Sequence, residues 1–156
     1  MEFVHYKPRN FYETMGLLVQ VAYFDENMYQ KSTVVDAIDA YTNPINLNQC
    51  RIWLNKETSQ PVAFCTWAFL TQETEDKYKQ EPYIPEAEEW NAGNLLWFMD
   101  FICPFASPIP LFRDMGEHEL SNYETGQYMR FGKDHNIRRF GRYVNPYYTK
   151  KDIQSE

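Results

Sequence analysis

Asp100 is the residue whose surroundings most invite chemistry. It interrupts the run NLLWFMDFICPF, Asn94 to Phe105, in which almost every other residue is apolar. A continuous apolar run closed by Pro104 fits a buried strand better than a surface helix. A carboxylate there must be paired, hydrogen-bonded or protonated, because an isolated buried charge is strongly disfavoured. Two readings follow. Asp100 is either a structural side chain satisfied by backbone amides or an Arg, or a catalytic or substrate-orienting carboxylate at a strand end.

Few other residues compete. His135, in GKDHN, is most simply a turn residue, and becomes a general base if that turn folds over a cleft. His5 lies in an extended lead, and His118, in MGEHEL, sits at a helix end where it can meet the helix dipole. The three histidines are too far apart to form a local metal signature, and no Cys/His pair has zinc spacing. Cys50, Cys65 and Cys103 lie in apolar, strand-like contexts without CxxC spacing. An odd count without a secretory signal fits reduced, buried thiols in a cytoplasmic protein. The nucleophile-elbow, phosphate-loop and dinucleotide motifs are absent.

The elements that must position Asp100 follow from periodicity and punctuation. Asn10 and Glu13 form a capping-box pattern, and Phe11, Met15, Leu18, Val19 and Ala22 repeat at helical spacing, predicting a helix over 11–24. Thr33 and Asp36 cap a second helix through Tyr41, ended by Asn43-Pro44. Arg51 to Leu54 and Val62 to Leu70 read as a hairpin, the second strand central because both its faces are apolar. A short charged helix over 71–78 and the loop EPYIP precede the Asp100 strand. Leu111 to Met115 forms a helix with Pro110 near its start. YMRFGKDHNIRRFGRY reads as a second hairpin, and 145–156 as a polar, loosely held end. The result is one α+β domain over 1–156, with a mostly antiparallel central sheet covered by helices.

Composition narrows the partners. The chain carries four Trp, twelve Tyr and eleven Phe against six Gly, and its net charge of −7 argues against nucleic acid. Seven acidic residues fall between Glu73 and Glu89, while Arg130, Lys133, Arg138, Arg139, Arg142, Lys150 and Lys151 crowd the other end. Solvated faces are the plain reading of both clusters. The functional reading of the basic one is a dock, through residues such as Arg138 and Arg139, for an anionic partner or acidic carrier protein. No segment reaches the roughly twenty apolar residues of a membrane-spanning helix.

PVAFCTWAFLTQETEDKY, then EEWNAGNLLWFMDFICPFAS, then YMRFGKDHNIRRFGRY resemble, in order and spacing, the RTX toxin-activating lysine acyltransferases. The resemblance implies a GNAT-like acyltransferase fold and transfer of a fatty acyl group from acyl carrier protein to internal lysines of a protoxin. On it, Asp100 matches the family's catalytic aspartate. Its carboxylate is expected in a cleft near Trp97, read as a substrate contact, or near the end of the first helix. The family pairs that aspartate with a histidine at the end of the first helix. Here the stretch is DENMYQKST, the position falls near Tyr29 or Gln30, and no histidine occurs between His5 and His118. Neutral Gln is no base and Tyr titrates near 10, so Tyr29 is read as a substrate contact, and His135 or a different reaction must make up the difference.

One branch of that resemblance acts in microcin maturation, where a second maturation protein helps attach a glucosylated catecholate siderophore to the C-terminal carboxylate of a microcin precursor. The missing histidine and compact length lead to this branch as the first expectation, with a siderophore conjugate as donor. The alternatives are an acyl-carrier-dependent lysine fatty acyltransferase acting on an RTX protoxin, and a non-catalytic scaffold. No bound cofactor is expected, and acetyl-coenzyme A is disfavoured because the glycine-rich pyrophosphate loop is missing. Exposed aromatic residues would suit a homodimer or a complex with a different subunit.

Overall fold

The computed structural model describes residues 1–26, 31–131 and 137–149. Its sheet has six strands in sequence order: β1 (Phe3–Tyr6), β2 (Cys50–Asn55), β3 (Pro61–Leu70), β4 (Leu95–Ile102), β5 (Thr125–Phe131) and β6 (Ile137–Val144). Every neighbouring pair is antiparallel except β4–β5, whose parallel register runs over Trp97↔Gln127 and Phe98↔Tyr128. The helices among the described residues are α1 (Phe11–Tyr23), α2 (Val34–Asn46), α3 (Gln72–Gln80) and α4 (Ile109–Asp114). This is the α+β, acyltransferase-like arrangement that the sequence predicts.

β3 explains why the sheet is buried on both faces. Along it, Phe64, Ala68 and Leu70 face one way while Ala63, Cys65 and Trp67 face the other, and all six are buried. On the first face Phe64 packs with Leu18, Val21 and Ala22 of α1 and Tyr41 of α2, while Ala68 and Leu70 pack with Tyr78 of α3 and with Trp90 and Trp97. On the second face Cys65 and Trp67 meet Leu111 of α4, Met115 and Leu120. Burying each of these large side chains contributes about 1.5–3 kcal/mol.

The caps form largely as the sequence predicts. Asn10 Oδ1 accepts the Glu13 N–H at 2.9 Å, but Glu13 accepts from Tyr6 Oη and the Arg9 N–H instead of completing the reciprocal arm. Thr33 and Asp36 form the full capping box of α2.

Four expectations need correction. The lead is an edge strand, β1, paired with β2 over its four residues. α2 runs through Pro44 to Asn46; the proline falls in its last turn, where burial of Tyr41 and Pro44 outweighs one lost backbone bond. Past α4 the chain does not stop at Met115 but widens into a π-turn, Met115–Glu119. A side chain at Gly116 would collide there with the Tyr143 hydroxyl and the Asn145 amide. Finally, Asn145 is not loosely held. It is buried, and its amide donates to the carbonyls of Gly116, Leu120 and Tyr123 at 2.9–3.2 Å.

Candidate functional site

The side-chain alternation of β4 would point Asp100 the same way as Leu96 and Phe98, into the core against α4. A β-bulge prevents this. Trp67 pairs with Phe98 but Thr66 pairs with Asp100, so Met99 is an extra residue in β4. One inserted residue reverses the faces beyond it. Met99 and Asp100 therefore both face α1 and α2, and Phe101 packs against the α4 side.

On that face lies a cavity of about 610 Å³ with Asp100 in its wall. Met15, Val19 and Ala22 of α1 and Ala37, Ile38 and Tyr41 of α2 form one side. Tyr78 of α3 and the loop residues Pro82, Tyr83, Ile84 and Pro85 form the other. The lining is mostly apolar, and Ser32, Thr33 and Asp36 bring polar groups to it. Volume and chemistry fit a site for an organic ligand with a few polar and charged groups to orient it.

Asp100 is half-buried and is held from β3. Thr66 Oγ1 donates to Asp100 Oδ2 at 2.9 Å and accepts the Asp100 backbone N–H at 3.1 Å. On the opposite face of the sheet a buried arginine holds two other acids. Arg51, 5% exposed, donates to Asp114 and to Glu119 at 2.7 Å on the α4 side. The Trp53 indole N–H donates to the same Asp114 oxygen at 2.7 Å.

The surrounding hydroxyls and thiols are kept neutral. Burial, followed by the Asp100 and Asp25 charges, pushes the Tyr41 phenol well above its usual range. Burial and then Asp100 do the same to Tyr78. Burial first, then the hydrogen bond to Glu89, raises Tyr83 to about 12. Cys65 is likewise raised, by burial and then by Asp100. None of these groups is a base or nucleophile at neutral pH.

Of the other sequence candidates, Trp97 and Arg139 have described side chains. Trp97 is 0% exposed and is not part of the cavity lining; its indole N–H donates to Glu75 Oε2 at 2.7 Å and its ring packs edge-on to Tyr78. Arg139 is exposed on β6, directly across from Arg130, and neither arginine makes an ion pair among the described residues. Arg138 is a β6 residue whose side chain is outside the described ones. Tyr29 and His135 lie outside the described residues. Among the described residues no group of His, Cys, Asp and Glu is arranged to hold a metal ion. Nothing in the sequence reading assigns Thr66 or the loop 82–85 to the site. The signal for Thr66 was present, since it is the one hydroxyl residue in PVAFCTWAFL.

Comparison with known proteins gives this geometry a family. The profile of the RTX toxin acyltransferase family (HlyC) matches residues 7–143. The chain is 34% identical over 70 residues to the RTX-II toxin-activating lysine-acyltransferase ApxIIC of Actinobacillus pleuropneumoniae, covering 45% of this chain and 42% of that one. It is 40% identical over 55 residues to the leukotoxin-activating lysine-acyltransferase LtxC of Aggregatibacter actinomycetemcomitans, covering 35% and 33%. It is 42% identical over 55 residues to the protein-lysine myristoyltransferase HlyC of Escherichia coli, covering 35% and 32%. The matched segments thus span less than half of these relatives' own lengths. Because the family profile extends over most of the sequence, the chain belongs to the RTX toxin acyltransferase family.

Proposed function

We propose that this protein is a lysine acyltransferase that moves a fatty acyl group from the thioester of an acyl carrier protein to an internal lysine of an RTX protoxin in the cytoplasm. The observation that carries the reading is Asp100 in the wall of a mostly apolar cavity of about 610 Å³. The relatives' names, with lysine acylation and myristoyl transfer among them, favour this reading over siderophore attachment.

In the reaction the lysine nitrogen attacks the thioester carbonyl carbon. A C–N bond forms and the C–S bond breaks. Starting from the ammonium, two protons leave the nitrogen, one to the departing thiolate and one to solvent. Lysine titrates near 10.4, so the amine must lose a proton before it attacks, and Asp100 is not assigned as the base. Its work is electrostatic: it orients the amine and stabilises the positive charge that develops on nitrogen as the C–N bond forms. The apolar wall takes the acyl chain and excludes water that would hydrolyse the thioester.

The test is co-production with an RTX protoxin and an acyl carrier protein, followed by mass spectrometry of the protoxin. The expected product carries a fatty-acyl increment on lysine that disappears in D100N while the circular dichroism spectrum is retained. Absence of the increment with the wild-type chain overturns the reading. The microcin reading draws on a separate observation, the absence of histidine between His5 and His118. A siderophore-glycoside increment on a microcin C-terminus would replace our reading with that one.

A further inference from the structure

Resting on the function just proposed, we infer that Thr66 is a positioning residue that fixes the Asp100 carboxylate for acyl transfer. Thr66 is 0% exposed and sits directly across from Asp100 in the β3–β4 register, at the step where Met99 is inserted. Its hydroxyl makes two bonds to the same residue, accepting the Asp100 N–H at 3.1 Å and donating to Asp100 Oδ2 at 2.9 Å.

These two bonds determine each other's direction. A backbone N–H can only donate, so the Thr66 oxygen must be its acceptor, and the hydroxyl proton is the group left to point at Oδ2. Oδ2 is therefore held as an acceptor. Thr66 ties the carboxylate to the backbone of its own residue across the bulge, and thereby restricts rotation of the Asp100 side chain. The bulge selects which face Asp100 occupies, and Thr66 selects how its carboxylate is turned on that face. A hydroxyl is not needed to fill this site, because valine has the same shape and suits a strand equally well. The polar group is instead matched to the carboxylate.

The residue acts through Asp100 and touches no reacting atom, so its signature is a change in turnover with substrate affinity held. Steady-state acylation of a lysine-containing protoxin fragment by acyl carrier protein provides the measurement. T66V is expected to lower kcat by about 10–100-fold, the scale of a misplaced catalytic group, with KM unchanged. T66S, which restores the hydroxyl, is expected to recover most of that loss. In single-turnover mass spectrometry, T66V added to D100N is expected to lower the residual rate no further, because residues acting as one unit are not additive. Should T66V fail to fold, T66C replaces it, keeping the size while supplying only a weak donor.

The inference is overturned if T66V matches the wild type, if its effect falls on KM alone, or if its loss multiplies that of D100N. An inactive wild-type chain is a different result and defeats the proposed function itself.

Discussion

Glu75 and Trp97 are joined across the α3–β4 interface by a 2.7 Å bond from the indole N–H to the carboxylate, and both residues are buried. Lys79 and Gln127 also donate to this carboxylate, at 2.8 and 3.2 Å. Trp97 therefore fixes α3 to the sheet. Glu75→Ala leaves a buried indole donor without its partner, so a loss of about 1–3 kcal/mol is expected. Urea unfolding followed by tryptophan fluorescence measures it.

The same carboxylate predicts an acid limb to stability. Burial raises the Glu75 pKa, but the bonds from Lys79, Trp97 and Gln127 together outweigh it, and the net shift is downward from 4.5. A carboxyl group depressed in the folded state stabilises above its unfolded value, and that stabilisation is lost as pH falls through the folded one. Stability should therefore drop below about pH 4.5 and drop less steeply in E75Q. Urea midpoints measured across pH 3–6 provide the comparison, and identical slopes would contradict it.

Arg51 should be the most sensitive charged residue of the opposite face. Replacing it with Met removes the buried partner of Asp114 and Glu119. Both carboxylates keep some contact with solvent, so a loss of about 2–3 kcal/mol is expected, below the range for a fully buried pair. The chemical denaturation midpoint of R51M tests this, and a variant within 0.5 kcal/mol of wild type, the scale of an ordinary surface change, would refute it.

The thiols should be silent in the folded chain. Burial, then the nearby Glu119 charge, pushes Cys50 up to about 12, and full burial, then the Asp100 charge, holds Cys65 well above the usual thiol range. Iodoacetamide at pH 8 should label these two only at the rate of unfolding, because the thiolate is the reactive form. Peptide mapping after timed labelling, with and without urea, distinguishes this from direct attack. Raised folded pKa values have the opposite pH sign to that of Glu75. Their stabilisation is present below the unfolded values and is lost as pH rises through the folded ones. Tyr41, Tyr78 and Tyr83 are raised from 10, so they add to an alkaline loss of stability beginning near pH 10.

The cavity wall offers a prediction about chain length. Ala37 of α2 lines the cavity and is only partly buried, so Ala37→Phe takes volume from the ligand space more than it overpacks the core. Given acyl transfer, the variant should accept shorter acyl chains than the wild type at a stability change within about 1–3 kcal/mol, the scale of modest overpacking. The distribution of acyl masses on the acceptor lysine reads this directly. An unchanged distribution would remove the cavity from the acyl-binding role.

Much of this architecture is legible in the residues themselves. Asn10 and Thr33 each announce a helix start, because the cap bond is local and needs no tertiary context. β3 reads as central from apolar residues on both faces. β1 was missed as a strand because FVHY has too few residues to show alternation, and only pairing with β2 defines it. The π-turn at Met115 depends on Tyr143 and Asn145, more than 25 positions away. Asp100 could be chosen from its apolar run, but its cavity could not, because that needs α1, α2 and the 82–85 loop together. Trp97 lies on the same face of the sheet as Met99, and its indole N–H is committed to Glu75, a partner 22 positions away that no local pattern announces.

The Met99 bulge makes the exposure of Asp100 a matter of parity. Deleting Met99, or adding one residue between Phe98 and Asp100, would keep every other side chain of the strand and yet exchange its inner and outer sets downstream. Asp100 would move among Trp53, Cys65 and Leu111, and Phe101 would enter the cavity. The chain tolerates composition changes here more readily than it tolerates a change in count, so a length comparison over these few residues would separate relatives that can present the carboxylate from those that cannot.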